Sequence, residues 1–576
     1  MNLTTINKYL HKHEPLLTMY KGPGYFYYTA EDSIPPESIY TNTARDITID
    51  DLTSAVGQYR ESKKDSKIYR LHEPLLLDGH LVKKGSLIRV ADKAEKAFED
   101  LMKVVLKGTM FEGKAFAVGG YVRDEVLGIN SNDLDIMVSL ESERGKAEPE
   151  GAEKLTYFLH RLFPQETHEP LRTGKGYPIW RLIVEEDIIY KGVTYNTDGA
   201  KIEFADSMKE SFPDPNSRQR EVEWGTVQED IERRDFTVNS LLKDLTTGEI
   251  LDLTGTSVAD IKKGLLRGNP NVDFNSILRQ DPLRIIRLIR FAVKYDWDIP
   301  LSAIRAVRKN AERIKIVSSE RIMEELTKIM VLGKLHKAIK LMKTLGILSH
   351  FLPEIDALRG VEQHPDHHAE GDVYKHTLEV LKNAPKTLEG QLAALLHDVG
   401  KPATQEILED AIHFYRHEEV SAEMAEAILR RLKFDGKTID TVVTLVKNHM
   451  RPHGLGNSSP KAFRKLIRDL GDEMTEALLD LAEADSLGSF PVENVIPELR
   501  DKIQEVKNSP LKVKNRAILD GREIMEALGI RKPGPVVGQA GNFLLDLEDN
   551  LAVEGKKLTK EDAKEHLIEW SRDNQK

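Results

Sequence analysis

Hydrophobic and polar positions change their rhythm partway along this chain. Up to about residue 255, short apolar runs bounded by Gly, Pro, Asn and Asp dominate, the pattern of strands closed by turns. Strands are expected at 25–28, 116–118, 180–184, 188–195 and 201–205, with a strand pair in 75–90 around Asp78 and Gly79. Apolar residues at helical spacing intervene at 49–61, 93–106 and 155–163. Beyond Gly255 the strand signals largely stop and helical periodicity runs to the end. The pattern predicts a multidomain chain: a small N-terminal α/β domain of unassigned role (1–94), an α+β head with a small mixed sheet and flanking helices (95–255), an all-α neck (256–355), a further helical domain (356–500) and a helical tail (501–576).

Composition narrows the setting. A chain of 576 residues, 40% of them hydrophobic, is too long for one core and suits three to five domains. The absence of cysteine excludes disulfides and thiolate zinc sites, so any metal must rest on carboxylate or imidazole. Residues 1–14 lack an apolar signal core and no run approaches a membrane span, so a cytoplasmic protein with no membrane partner is expected. A formal net charge of −11 argues against indiscriminate coating of nucleic acid and confines RNA contact to local patches. Two such patches are Arg305, Arg308, Lys309, Arg313, Lys315 and Lys334, Lys337, Lys340, Lys343. Solvated helix faces balanced by acidic neighbours are the alternative reading of both.

One stretch organises the chemistry. An apolar strand breaks at Gly119 and Gly120 and turns into a helix near Tyr121; glycines there let backbone N–H groups approach a phosphate. After a polar turn, Asp133 and Asp135 follow at period two, which on a strand turns both carboxylates to one face, able to hold hard divalent cations. Farther on, the adjacent Arg233 and Arg234 offer forked donors suited to a triphosphate and a ribose, and Asn239 can hydrogen-bond a sugar hydroxyl. In Gln280-Asp281-Pro282-Leu283-Arg284 a helix is expected to open with Asp281 and Arg284 on one face. Cytosine and adenine both present an amino donor beside an unprotonated ring nitrogen, which a carboxylate and a guanidinium satisfy together. Guanine and uracil present a carbonyl beside a ring N–H and leave both side chains mismatched. A second centre is suggested by His376, by His397-Asp398, by His417 and His449, and by Asp485; His364, His367 and His368 also crowd its start.

Gly119-Gly120-Tyr121-Val122-Arg123-Asp124 with Asp133-Leu134-Asp135, then Arg233-Arg234-Asp235-Phe236-Thr237-Val238-Asn239 and the Asp281/Arg284 pair, resemble the motifs of the class II tRNA nucleotidyltransferases, the CCA-adding enzymes and bacterial poly(A) polymerases. The resemblance spans roughly residue 97 to the end and implies magnesium at Asp133 and Asp135, with Glu203 as a third catalytic carboxylate. It also implies nucleotide binding by Gly119, Gly120, Arg123, Arg233, Arg234, Asp235, Asn239, Asp281, Arg284 and Arg287, and a bracing role for Glu320 and Arg321. Two positions depart from the family: Met208 stands where an Arg is usual, with Lys209 beside it as a substitute, and Gln280 stands where a Glu is usual.

The histidine-rich segment resembles the HD phosphohydrolase domain. His376, His397, Asp398 and Asp485 match its metal ligands, and His417 and His449 match those of a second metal, which implies a divalent cation such as Mg2+, Mn2+, Ni2+ or Co2+. The expected activity is template-independent addition of CCA, from CTP and ATP, to the 3′ end of tRNA, with HD phosphohydrolase activity beside it. The expected partners are tRNA or other RNA 3′ ends, CTP and ATP, and no DNA. Addition of AMP alone by a poly(A) polymerase, or an HD phosphohydrolase whose head only binds RNA, remain as alternatives.

Overall fold

The computed structural model describes residues 94–129, 131, 133–141, 147–173, 177–211, 221–363, 371–408, 411–456, 458–489 and 494–574, and the backbone of six short strands between Leu17 and Ala91. The chain forms two compact units, one reaching to Lys263 and the other from Gly264 onward.

Among the N-terminal strands, Leu17–Gly22 pairs with Tyr25–Ala30. Leu75–Leu77 pairs with His80–Val82, while Leu87–Ala91 pairs back to Ser66–Arg70. The helix expected over 49–61 and the cluster His364, His367, His368 lie outside the described residues.

The first unit is built on a seven-stranded sheet in the order Leu171–Thr173, Ile179–Ile183, Lys201–Asp206, Asp135–Val138, Ala115–Val118, Leu242–Asp244, Ile250–Leu251. All neighbours are antiparallel except Lys201–Asp206 with Asp135–Val138, which run parallel. Period-two alternation explains one face: Ile202, Phe204 and Asp206 are buried while Glu203 and Ala205 are half-buried on the other side. Against the sheet packs the helix Gly151–Leu162, whose Ala152, Leu155, Thr156 and Leu159 recur at helical spacing and are buried. Residues 188–195, expected as one strand, form a hairpin of Ile188–Tyr190 and Val193–Tyr195. Lys191 and Gly192 turn it with φ of 50° and 79°, a conformation hidden from an apolar count. The short helix Ser257–Lys263 closes the unit by packing on the Thr237–Asn239 turn, where the Thr237 hydroxyl donates to Asp260 Oδ2 at 2.8 Å.

The second unit is helical. Phe274–Gln280 and Leu283–Tyr295 are separate helices with Asp281 and Pro282 at the break. The helix Ser319–Met330 packs along Leu283–Tyr295 and is held by Arg290 donating to Glu325 Oε2 at 2.6 Å. Farther on, Val373–Asn383, Leu388–Leu396, His417–Arg431, Gly436–Asn448 and Asp472–Gly488 pack into a bundle. Two glycines permit its close approaches: a Cβ on Gly400 would stand 2.6 Å from Ser421 N, and one on Gly488 would stand 2.7 Å from Val380 Cγ2. In the tail, Asp549 on Pro535–Val553 is clasped by Arg464 and Arg468 of Pro460–Leu470. Leu519, Ile524, Ala540, Leu544, Leu558, Ala563 and Leu567 form a small core of its own. No helix among the described residues is long and apolar enough to cross a membrane.

Candidate active site and metal centre

In the head the glycine turn and the carboxylates meet through strand register. Val118, the last residue before Gly119, pairs with Asp135, and Asp135 pairs on its other side with Glu203. Gly119 has φ +68°, which a side chain rarely tolerates, and it caps the helix Gly120–Val126. Asp133 lies in the segment that leads into the strand and not on the strand itself, which begins at Asp135: the expectation that one strand carries both is corrected. The two carboxylates nonetheless feel each other. Burial first, then the charges of Asp133 and Glu203, push the Asp135 carboxyl up to about 7, and Arg234 only partly offsets them. Such crowding is what a divalent cation relieves, so the residues fit a hard metal ion.

Glu203 is half-buried opposite Asp135, but its carboxylate is gripped by Arg181 of the neighbouring strand. Both Arg181 contacts fall on Oε1, which leaves Oε2 of Glu203 as the oxygen that could serve a third ligand position.

The arginine pair is aimed by a residue that sequence reasoning missed. Asp230 is 1% exposed. Its Oδ1 accepts from Arg233 Nη2 at 2.6 Å and Nε at 3.0 Å, and its Oδ2 accepts from Arg234 Nη2 at 2.8 Å and Nε at 3.0 Å. Asp230 precedes the arginines by three and four residues, the spacing of neighbours on a helix, so the signal was present. Arg123, Asp235 and Asn239 are buried and interlock: Arg123 Nη1 donates to Asn239 Oδ1 at 2.7 Å, and Asn239 Nδ2 donates to Asp235 Oδ1 at 3.0 Å. These three tie the glycine-turn helix to the arginine motif from beneath. Lys209, beside Met208, is paired with Glu223 across an exposed hairpin.

In the second unit Asp281 is not on the same helix as Arg284, as expected from sequence, but in the break, with φ −138° and ψ 96°; Pro282 disfavours helix for its predecessor. Arg321 Nη2 stands 2.7 Å from Asp281 Oδ2 and Nη1 stands 3.2 Å from Oδ1. Arg284 is buried and donates to the Ile277 carbonyl at 2.9 Å. Arg287 lies 3.9 Å from Glu325, which Arg290 holds more closely. Much of the basic character found in sequence is spent internally: Lys334 and Lys337 pair with Asp296, and Lys343 pairs with Asp356.

The histidine centre is more completely assembled. His376, His397 and Asp485 offer ligand atoms within 4.8 Å of one another, and so do Asp398, His417 and His449. Asp398 faces both groups: Oδ2 is 3.2 Å from His397 Nε2 and 3.5 Å from His376 Nε2, while Oδ1 is 3.3 Å from His417 Nε2 and 3.8 Å from His449 Nε2. Asp485 Oδ1 stands 3.0 Å from His376 Nε2. The outer nitrogens are anchored. Nδ1 of His397, His417 and His449 lies 2.9, 2.9 and 2.7 Å from the carbonyls of Ala394, Phe414 and Val446. A carbonyl can only accept, so Nδ1 carries the proton and Nε2 presents its lone pair inward, the tautomer a metal requires.

Against the cost of burial, His397 and Lys401 hold the Asp398 carboxyl well below the usual range, and burial pushes His449 down to about 3, leaving it a neutral imidazole. Among the described residues, neither Asp398 oxygen has a well-directed hydrogen-bond donor although both are buried, and Lys401 Nζ stands 2.7 Å from Oδ2. The donor set fits divalent cations, which His376, His397 and Asp485 on one side and Asp398, His417 and His449 on the other would hold. His453, 3.1 Å from Asp485 Oδ2, and Gln363, 2.7 Å from Lys401 Nζ, support the ligands from outside and were not foreseen.

Asp135 also makes a pH dependence testable. Its folded pKa is raised from 3.8, so its favourable contribution to stability is fully present below that value and is lost as pH rises through about 7. A bound cation reverses the loss. The rise in Tm on adding Mg2+ is therefore expected to be larger at about pH 8 than at about pH 6. Differential scanning fluorimetry checks this against Asp135→Asn, and an equal dependence in that variant would refute the assignment.

Comparison with known proteins extends these observations. Residues 115–267 match the Poly A polymerase head domain, 298–359 the probable RNA and SrmB-binding site of polymerase A, and 373–488 the HD domain. A CC-adding tRNA nucleotidyltransferase of Thermus thermophilus is 31% identical over 470 residues, covering 79% of this chain and 93% of the relative. A multifunctional CCA protein of Halorhodospira halophila is 30% identical over 65% of this chain and 83% of its own length. The Bacillus stearothermophilus CCA-adding enzyme solved with CTP shares the fold at 21% identity, with a TM-score of 0.54 over 83% of this chain and 98% of that one. With three domain matches in family order and a 31% identical relative covered nearly from end to end, the chain belongs to the family of tRNA nucleotidyltransferases and poly(A) polymerases that carry an HD domain.

Proposed function

We propose that this protein adds the 3′-terminal CCA to tRNA from CTP and ATP, and that its HD centre hydrolyses phosphoesters. What carries the first reading is the pairing of Asp135 with Val118 and Glu203, which sets carboxylates beside the glycine turn in a chain related over most of its length to tRNA nucleotidyltransferases. Asp133 and Asp135 would hold magnesium, with Glu203 beside them through the oxygen that Arg181 does not engage. The cations supply charge neutralisation at the triphosphate and a more acidic RNA 3′-hydroxyl. Arg233 and Arg234, aimed by Asp230, receive the triphosphate, and pyrophosphate leaves in line with the attacking hydroxyl.

The test is incubation with tRNA lacking CCA, supplying each NTP singly and then together. CTP alone should extend the RNA by two residues, and ATP should complete it by one. The similarity to a CC-adding enzyme favours a second reading, in which extension stops after two cytidines. Failure to label tRNA ending in CC with ATP would establish that reading, and long tails from ATP alone would establish a poly(A) polymerase.

At the HD centre His376, His397, Asp398 and Asp485 would hold a first divalent ion and His417 and His449, with Asp398, a second, drawn from Mg2+, Mn2+, Ni2+ or Co2+. Bound metal supplies a hydroxide nucleophile near neutral pH. The substrates are 2′,3′-cyclic phosphates, 2′-phosphates or related phosphoesters.

Base choice rests on Asp281 and Arg284. Asp281→Ala is expected to relax or destroy discrimination against UTP and GTP. Losing one partner of a buried hydrogen-bonding pair costs about 1–3 kcal/mol, or roughly ten- to a hundredfold in relative efficiency. Competition among all four NTPs measures the ratio, and an unchanged preference places base choice elsewhere.

A further inference from the structure

We infer that Arg321 is a specificity-determining residue: it holds Asp281 as a fixed, acceptor-only carboxylate and so keeps uracil out. The inference rests on the reading of Asp281 as the group that meets the incoming base. Sequence assigned Arg321 to bracing the helix, yet its guanidinium reaches from Ser319–Met330 to the break before Leu283–Tyr295 and places one nitrogen on each Asp281 oxygen, at 2.7 and 3.2 Å. The two helices pack together and are pinned by Arg290 and Glu325, so the guanidinium approaches from a fixed direction.

A carboxylate offers about four acceptor positions, two on each oxygen. Arg321 takes one on each oxygen, and the Leu283 N–H takes the other on Oδ1 at 3.2 Å. Among the described residues no donor takes the remaining direction, on Oδ2, which is left for a ligand. The amino group of cytosine or adenine suits it, whereas the O4 carbonyl of uracil is repelled.

Such a filter fails in two ways. A protonated Asp281 donates to O4 instead of repelling it. A rotated carboxylate moves its acceptor onto the N3–H of uracil. The two-pronged contact opposes both, because it favours the ionised form and fixes both oxygens in plane. The charged groups that face Asp281 are Arg321 from one helix and Arg284 from the other; against the cost of burial they hold its carboxyl below the usual range, Arg321 contributing more than Arg284.

The test is competition of UTP against CTP on tRNA lacking CCA, from about pH 8 down to about pH 5.5, with parent, Arg321→Ala, Arg321→Lys and Asp281→Ala. The parent ratio is expected to stay flat. In Arg321→Ala it should fall roughly tenfold, the order of one lost charge-assisted hydrogen bond, and fall further as pH drops. Arg321→Lys, which keeps the charge without the fork, should protect the ratio at low pH while losing part of it at every pH. If Arg321→Ala does not fold by circular dichroism, Arg321→Lys carries the test through its uniform loss. A parental ratio at every pH in both Arg321 variants, with relaxed choice in Asp281→Ala, overturns the inference and leaves Arg321 a brace. An unchanged ratio in Asp281→Ala instead overturns the base-reading role, and this inference falls with it.

Discussion

Asp135→Ala is expected to abolish nucleotide incorporation, by at least about a thousandfold, while tRNA binding survives; losing one preorganised electrostatic group from a transfer site costs that order. Asp133→Ala is expected to follow it. Asp135 holds its place through backbone pairing with Val118 and Glu203, which does not need its side chain, so the sheet should persist. Without metal the aspartate is crowded by Asp133 and Glu203, and replacing it removes that repulsion. The metal-free variant should accordingly melt no lower than the parent near neutral pH. Filter binding and incorporation measured on one preparation decide the matter. Near-parental incorporation by either variant would sink the metal assignment.

The second large effect is expected at the other centre. His397→Ala combined with Asp398→Ala should leave CCA addition nearly intact but eliminate metal-stimulated hydrolysis of 2′,3′-cyclic or 2′-phosphates. Asp398 faces both ligand groups and His397 lies in one of them, so the double change disarms both positions. Elemental analysis after dialysis against Mn2+, Ni2+ or Co2+ should show the variant retaining markedly less metal than the parent, independently of any assay of turnover. Asp398 is buried beside Lys401, so circular dichroism must first establish that the variant folds. A folded variant that loses CCA addition as well would show the two centres to be coupled. A parent without phosphoesterase under any metal would make the HD domain structural.

The parts of both sites that were legible in sequence are contiguous motifs whose chemistry is local. The glycine turn, the paired arginines and the His-Asp dipeptide each announce themselves within a few residues. What stayed hidden are partners brought in by the fold. Arg181 reaches Glu203 by cross-strand register, Arg321 reaches Asp281 across two helices, and His453 reaches Asp485 from another element. No spacing rule connects such pairs. Local geometry also misled at two points. Period two placed Asp133 on a strand that begins only at Asp135, and helical spacing joined Asp281 to Arg284 across a proline that separates them. In each case the backbone departs from the expected element, because propensity reports preference while terminal residues answer to their neighbours.

The histidine centre draws its proton arrangement from places where helices stop. His397 and His449 each cap the helix they follow, and their Nδ1 atoms meet carbonyls of the last turn, where the regular backbone ladder gives out; the Val446 carbonyl keeps only a long contact from the His449 N–H, at 3.4 Å. The loose ends of two helices are thereby converted into a tautomer lock. A change that lengthened Leu388–Leu396 or Gly436–Asn448 by one turn would draw the Ala394 or Val446 carbonyl back into the helical ladder, free the imidazole to exchange tautomers and weaken metal capture with every ligand still in the sequence.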